Sequence, residues 1–440
     1  MFLPARPLIS GLFLWTVLSS PAAADLTVGP PDSGADFSDL QAAIDAAVPG
    51  ETLFVFPGQY RGGLLIDKSI DIIGAGPGAT QLESVSSEPL FEVRGLAALD
   101  SVVLAGLGVL NGFESDALGM EVRNCQGPVT LADVAWAAPA QLVGLERLLW
   151  IEDCSRVIID RCVFDAGSLR PIAGATRIAG LEASGSSLYV NNTVLMGGIG
   201  IEVEAGPGLR GFDVDVDLGS SQVTGGLGAF DVLSAPASGG PGVDLSANSR
   251  LELSGSGAMF VEGGTGGIDL ALPANEAPGG PGARLAGGSV VVLSGGASLA
   301  GGQPFFGGPS APPSVQDANS NLFFAFEPQL GLRSNDTLVQ AGQPLQLEVK
   351  GLSFSSVGIF LGAETTSPVP VPGFAGDALI SPATAFNLAL VTTNFIGDAT
   401  ATIQVPGNAP PGLRGYIQAV DLGFVVAPAI SLPVYVEVTP

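Results

Sequence analysis

The sequence predicts an all-β protein: a parallel β-helix, preceded by one short helix and followed by a small C-terminal β-sandwich. Three observations predict it. Runs rich in Val, Ile, Leu and Phe last only a few residues between Gly and Pro punctuation. Several of these runs recur at steps of 29, 30 and 40 residues, and a repeat carried by strands is the mark of a solenoid. Only 13% of the 440 residues are charged, against 63 glycines and 34 prolines, a composition that suits neither a helical bundle nor a solvated disordered chain.

The elements follow in order. A lone positive charge, Arg6, precedes an apolar run from Leu8 to Leu18 and the small residues Ala22-Ala23-Ala24. This is the form of a secretory signal over residues 1–24, cleaved before Asp25, and the run is too short to span a bilayer. The apolar stretch Leu96 to Leu110, interrupted by Asp100 and glycines, alternates like a strand and is not read as a membrane span. The mature chain is therefore expected to be exported and to carry no transmembrane segment. Ser38 with Gln41 three residues later forms a capping box; Leu40, Ala43, Ile44 and Ala47 then share one helical face, and Pro49-Gly50 ends the helix. Strands follow at Thr52–Phe56, Leu64–Ile66 and Ser69–Ile73.

Asp36-Phe37, Leu40-Gln41, Ala43-Ile44-Asp45-Ala46-Ala47, Pro57-Gly58-Gln59-Tyr60, Lys68-Ser69-Ile70 and Ile73-Gly74 together resemble the opening of the pectin-lyase-like right-handed parallel β-helix proteins, pectin methylesterases included. The resemblance implies a right-handed winding whose open end is capped by the helix. Enzymes and non-enzymes share this opening, so it implies a fold and not an activity.

Further on, Val122-Arg123-Asn124-Cys125 matches Ile151-Glu152-Asp153-Cys154 and Leu181-Glu182-Ala183-Ser184. Val129 to Trp136, Val157 to Phe164 and Leu188 to Leu195 align behind them, and Leu251-Glu252-Leu253-Ser254-Gly255 returns as Val291-Val292-Leu293-Ser294-Gly295. One coil cannot bury its own inward side chains; coils stacked about 4.8 Å apart make a continuous apolar column. Glycine-rich corners are expected to supply turns at positive φ. Some 25–30 residues per coil give about nine or ten coils over residues 25–303. Residues 304–321, rich in Gly, Pro and Ser, read as a linker, and 322–440 as the β-sandwich, with strands at Leu345–Val349, Val357–Leu361, Phe386–Val391, Ala399–Val405, Tyr416–Val420 and Leu432–Val438. This module resembles the Ig-like C-terminal modules of exported bacterial surface proteins; it would cover the last edge of the solenoid or dock the protein elsewhere.

Function is less legible. With no histidine, His-based triads, imidazole metal sites and His proton shuttles are excluded. A formal net charge of −26 argues against nucleic acid as partner, and against an anionic polysaccharide unless a cation lies between; neutral glycans or divalent cations fit better. The aspartate and arginine segments of the pectin methylesterases are not found: Leu169-Arg170-Pro171 is followed by Ile172 in place of Trp, and Gly58-Gln59-Tyr60-Arg61 by Gly62 in place of Glu. No catalytic residue is assigned, although a lyase base could be sought in Arg156, Arg161 or Arg210. Asp213, Asp215 and Asp217 alternate with Val214 and Val216, and Glu202 and Glu204 form a similar pair; these five are candidate Ca²⁺ ligands, set against the plainer reading of a solvated acidic face. No cofactor is required. Cys125 and Cys154 fall one coil apart, as buried thiols or a bridge, and Arg123 and Glu152 as an exposed ion pair. Trp136, Trp150, Phe164, Tyr189 and Phe305-Phe306 fill the core or stack on sugars. These features predict a secreted, non-catalytic cell-surface or matrix protein, acting as a rigid structural or glycan-binding element. The alternatives are a divergent pectinesterase-like or polysaccharide-lyase-like enzyme and a cation-stabilised structural module.

Overall fold

In the computed structural model, which describes residues 25–439 apart from 84–87, 111–118, 138–146, 168–177, 201–203, 229, 232–235, 255–258, 270–275, 294–296, 307–308, 325–329, 372–373, 375–376, 382, 396 and 423–428, the chain forms a parallel β-helix. The secretory-signal reading falls on residues 1–24, outside the described residues. Each coil lays one strand on a nine-stranded parallel sheet, here the first face, running from Leu64–Ile66 through Met120–Arg123, Leu149–Glu152, Leu181–Ser184 and Leu209–Phe212 to Ser314–Gln316. The chain then turns onto a second face (Val157–Asp160, Ser187–Asn191, Asp215–Gly219 and their neighbours) and a third (Val163–Asp165, Val194–Met196, Gln222–Thr224). Faces two and three merge into one 18-stranded sheet because Val102–Leu110 and Val129–Ala137 run unbroken around the corner.

The observed register agrees with the repeat at most points. Val122 lies opposite Ile151 and Arg123 opposite Glu152; Val129, Val157 and Leu188 stack, as do Trp136, Phe164 and Leu195; Leu251 faces Val291. Leu181, however, lies opposite Leu149 and not Ile151. The sequence alignment slipped there by two residues, which the period of a strand hides: a shift of two leaves every inward side chain inward. Ile151, Trp136 and Phe164 are all buried in the column.

The capping helix, α1, spans Leu40–Ala46 and buries Leu40, Ala43 and Ile44. Its N-cap is Asp39, not Ser38: the Asp39 carboxylate accepts the Ala42 N–H at 2.7 Å. Gln41 does not close a capping box. It accepts the Leu65 N–H at 2.8 Å and donates to Leu65 O at 3.3 Å, tying the helix to the first strand of the first face. Lys68 Nζ donates to the Asp45 and Ala47 carbonyls, satisfying acceptors that the helix end leaves open.

The corners bear out the expectation in part. Left-handed φ values fall on Gly95 and Gly185 at the first corner and Gly106 at the second, and in the coils between on stacked Asn and Asp residues: Asn124, Asp153 and Asp213 at the first corner, Asp133 and Asn192 with Arg161 at the second. Short side chains that bond their own backbone tolerate this conformation. Most glycines between residues 197 and 302 serve instead for close approach. Gly206, Gly226, Gly240, Gly264, Gly280 and Gly302 each donate to a carbonyl of the preceding glycine strip at 2.8–3.0 Å, so that extended backbones pack with no side chain between them. A Cβ at Gly264 would lie 1.8 Å from Gly226 O.

Residues 304–321 are not simply a linker. Ser314–Gln316 pairs with Ala283–Leu285 and Asn321–Phe324 with Val290–Leu293, so the winding continues to Phe324. Beyond it stand two larger sheets, Gly331–Ser334, Pro344–Lys350 and Asp398–Gln404 in one and Leu338–Gln340, Val434–Thr439, Arg414–Asp421, Ser356–Gly362 and Phe386–Thr392 in the other, with a two-stranded ribbon of Glu364–Pro370 and Asp377–Ile380. The two larger sheets share a core around Leu332, Leu347, Val357, Ile359 and Val434, which makes a β-sandwich. The sandwich lies along the second face and not over the last edge: outward residues Phe54, Ile73, Val103, Ala132, Ile158 and Tyr189 pack against Leu379, Ile380, Tyr416 and Tyr435. Thr130 Oγ1 and Tyr416 Oη hydrogen-bond at 2.8 Å, Asn191 Nδ2 donates to Leu332 O at 3.3 Å, and Arg414 pairs with the buried Asp71.

Candidate functional site

The first face lies on a different side of each coil from the strands that the sandwich covers, and its outward side chains form two rows. The first row reads Leu65, Glu92, Glu121, Trp150, Glu182, Arg210, Asp244, Arg284 and Val315, one residue per coil. Beside it runs Arg94, Arg123, Glu152, Ser184, Phe212 and Ser246. Strict alternation produces both rows: the residues between them, such as Leu149, Ile151, Leu181 and Leu209, are fully buried.

Arginine meets carboxylate along these rows. Arg123 pairs with Glu92 and, at 3.2 Å, with Glu121; Arg94 approaches Glu92 at 3.5 Å; Arg210 and Arg147 hold Glu182 at 2.9 and 3.7 Å; Arg284 joins Asp244 at 3.5 Å and also pairs with Glu204. Trp150 sits between Glu121 and Glu182, half-buried, with the Arg147 guanidinium 4.3 Å and that of Arg123 5.5 Å from its ring centroid. Burial among these side chains raises the Glu121 carboxyl above the ordinary carboxylate range, against the opposing pull of Arg123. Two coils beyond Trp150, Phe212 is 58% exposed, a large apolar surface on the same face.

The sequence-derived candidates are distributed differently. Asp213 is a corner residue with φ 54°, required by the turn, so it does not share a strand face with Asp215 and Asp217. Asp215 and Asp217 point outward on the second face, where Arg250 of the next coil reaches them at 3.3 and 3.8 Å and also pairs with Glu252. A guanidinium thus occupies the middle of the acidic row. Glu204 is joined to Arg284, and Glu202 lies outside the described residues. Among the described residues no three carboxylates or thiols converge as a metal site needs. Arg161 stands at a corner 3.8 Å from Asp133, Arg156 is buried, and Leu169-Arg170-Pro171 falls outside the described residues. Arg123 and Glu152 are cross-coil neighbours, yet Arg123 directs its guanidinium to Glu92 and Glu121. The three cysteines are free and buried. Trp136 and Phe164 fill the core, Tyr189 lies under the sandwich, and Phe305 and Phe306 are exposed. Phe212, Glu121, Glu182 and Arg147 were not singled out by sequence. The phase of Leu209-Arg210-Gly211-Phe212 puts Phe212 outward with Arg210, a signal that exists only once the strand is placed.

No protein-family profile matches the chain, and no curated protein is significantly similar to it. Among solved structures it is similar to the tailspike gp42 of Acinetobacter phage vb_AbaP_AS12, over 87% of this chain and 82% of that one, at 13% identity and a TM-score of 0.26. It is also similar to Spo0M, a sporulation control protein from Bacillus subtilis, at 8% identity and a TM-score of 0.18; the likeness covers 26% of this chain and spans about half, 51%, of Spo0M. At such likeness the fold rests on the strand pairing itself. Among the described residues no helix is long and apolar enough to cross a membrane.

Proposed function

We propose that this is an exported, non-catalytic surface or matrix protein whose β-helix is a rigid element that binds glycans along its first face. One observation carries the reading: Trp150 and Phe212 stand on one parallel sheet in adjacent outward rows, two coils or roughly 9.6 Å apart along the stack, beside guanidinium and carboxylate groups already fixed by mutual pairing. Aromatic surface to lie under a sugar ring, and rigid donors and acceptors beside it, are what a repeating saccharide requires. The interleaved signs favour a ligand of low net charge, in keeping with a chain at −26. A glycan array with the mature chain tests this. Binding that falls at least tenfold in Trp150→Ala and in Phe212→Ser supports the proposal, and binding indifferent to both removes it.

A second reading, a polysaccharide-acting enzyme, is favoured by one feature. Arg123 holds two carboxylates, Glu92 and Glu121, within ion-pairing distance, and burial raises the Glu121 carboxyl, while Glu182, two coils away, is set between two arginines. Chain cleavage that disappears in both Glu121→Gln and Glu182→Gln would establish this reading over the first.

A further inference from the structure

The seam between solenoid and sandwich contains a cleft of about 680 Å³. One wall is the second face near the capped end, with Phe54, Phe56 and Ile73; the other is the start of the sandwich, with Asp336, Gln340 and Gln343. Its walls are fixed in advance, because the Arg414–Asp71 ion pair and the Thr130–Tyr416 hydrogen bond pin the same interface. Clefts of this size at module junctions, apolar with a few placed polar groups, are where small ligands bind.

The lining selects the ligand. Among the described residues around the cleft there is no lysine or arginine and one carboxylate, so an anionic sugar would gain no counter-charge and would face Asp336. The Gln340 and Gln343 side chains are exposed, and a carboxamide both donates and accepts, matching adjacent hydroxyls. Half-buried Phe56 and exposed Pro57 offer apolar surface opposite, backed by the buried Phe54. A sugar ring has an apolar face and a hydroxylated edge, and this cleft presents a complement to each. We propose that the cleft is a second binding site, distinct from the Trp150 face, for an uncharged oligosaccharide segment that bridges the two modules. Bridging links binding to docking: the ligand stabilises the closed seam by mass action.

The test uses the whole mature chain with cellotriose, maltotriose, mannotriose and trigalacturonate, read by saturation-transfer NMR, calorimetry and melting temperature. At least one neutral trisaccharide is expected to bind and to raise the melting temperature, with trigalacturonate at least tenfold weaker. In a Trp150→Ala background, which silences the first face, Gln343→Ala, an exposed substitution that leaves the core alone, should weaken the remaining binding about tenfold, and Phe56→Ala more. Failure of all three neutral sugars to bind at millimolar concentration overturns the proposal. So does binding in the Trp150→Ala background that survives Gln343→Ala and Phe56→Ala together, or a preference for trigalacturonate. Binding lost only in Trp150→Ala overturns the cleft while supporting the first-face site, so the two fail separately.

Discussion

At the first corner the residue after the left-handed turn is buried: Leu96, Cys125, Cys154, Ser186 and Val214 hold this place in successive coils. In one coil this is Ser186, whose hydroxyl donates to Ser184 O at 2.7 Å and accepts the Cys154 N–H at 2.9 Å. Cys154 and Cys125 occupy the same place in the two coils before it, and at the second corner Cys162 precedes Thr193 and Ser221 in a similar series. The cysteines are thus corner residues interchangeable in kind with serine and threonine; the neighbouring Cys125 thiol, and then burial, raise the Cys154 thiol, and burial raises that of Cys162, both well above their usual range. Cys154→Ser is expected to melt within about 2 °C of the parent, and reductant should not change the melting temperature of either protein. A reductant-dependent loss of several degrees would indicate a stabilising bridge instead. The second residue-scale test concerns Arg250, which pairs with Asp215, Asp217 and Glu252 together. With Arg250 in place, calcium and chelator should give the same melting temperature. In Arg250→Ala the three carboxylates lose this shared cation, and calcium should then stabilise by a few degrees. Equal stabilisation of parent and variant by calcium would restore the acidic row as a native cation site.

At the scale of elements, the strands and their inward faces were legible because alternation and repeat spacing depend only on local sequence. The slip of Leu181 by two residues shows the limit of that information, since period two cannot distinguish neighbouring even registers. Asp213-Val214-Asp215-Val216-Asp217 misled for a related reason: alternation continued across a corner that only three-dimensional stacking reveals. The glycine strips were visible as composition but not as an element, because their role is defined by the distance between backbones. This gives a position-specific prediction. Gly264→Ala places a methyl 1.8 Å from Gly226 O and should cost about 1–3 kcal/mol, as overpacking does, whereas a Cβ at Gly78 meets nothing within 4 Å and Gly78→Ala should be nearly neutral. Denaturant titration of the two variants separates them; equal stability would mean that the strips can spread apart without loss.

For the molecule as a whole, the decisive feature is the sandwich folded back on the second face. Its trace in the sequence is subtle: Asp71-Ile72-Ile73-Gly74 and Val157-Ile158-Ile159-Asp160 are buried at every position, the continuous pattern of a sheet covered on both sides, where a solvated flank would alternate. The partner that does the covering could not be read from those strands alone. Covering them also encloses charge. Asp160 is fully buried, accepts from Asn192 Nδ2 at 3.1 Å, and has Arg161, Asp133 and the Tyr435 backbone around it; Glu437 is bonded to the Tyr435 hydroxyl, with Arg414 and Asp25 nearby. Burial pushes each carboxyl up to about 7. In an unfolded chain such groups titrate near 4. Between those limits the folded protein still holds protons that the unfolded one has released, so raising the pH favours unfolding. The contribution of these two groups is full below about pH 4, shrinks across the interval and is lost above about pH 7, a difference on the order of a few kcal/mol. The Asp160→Asn, Glu437→Gln variant isolates it, because all other carboxylates titrate equally in both proteins. Between pH 5 and pH 8 the parent should lose several degrees of melting temperature relative to the variant, and parallel melting curves across that range would show that the two carboxyls ionise freely within the seam.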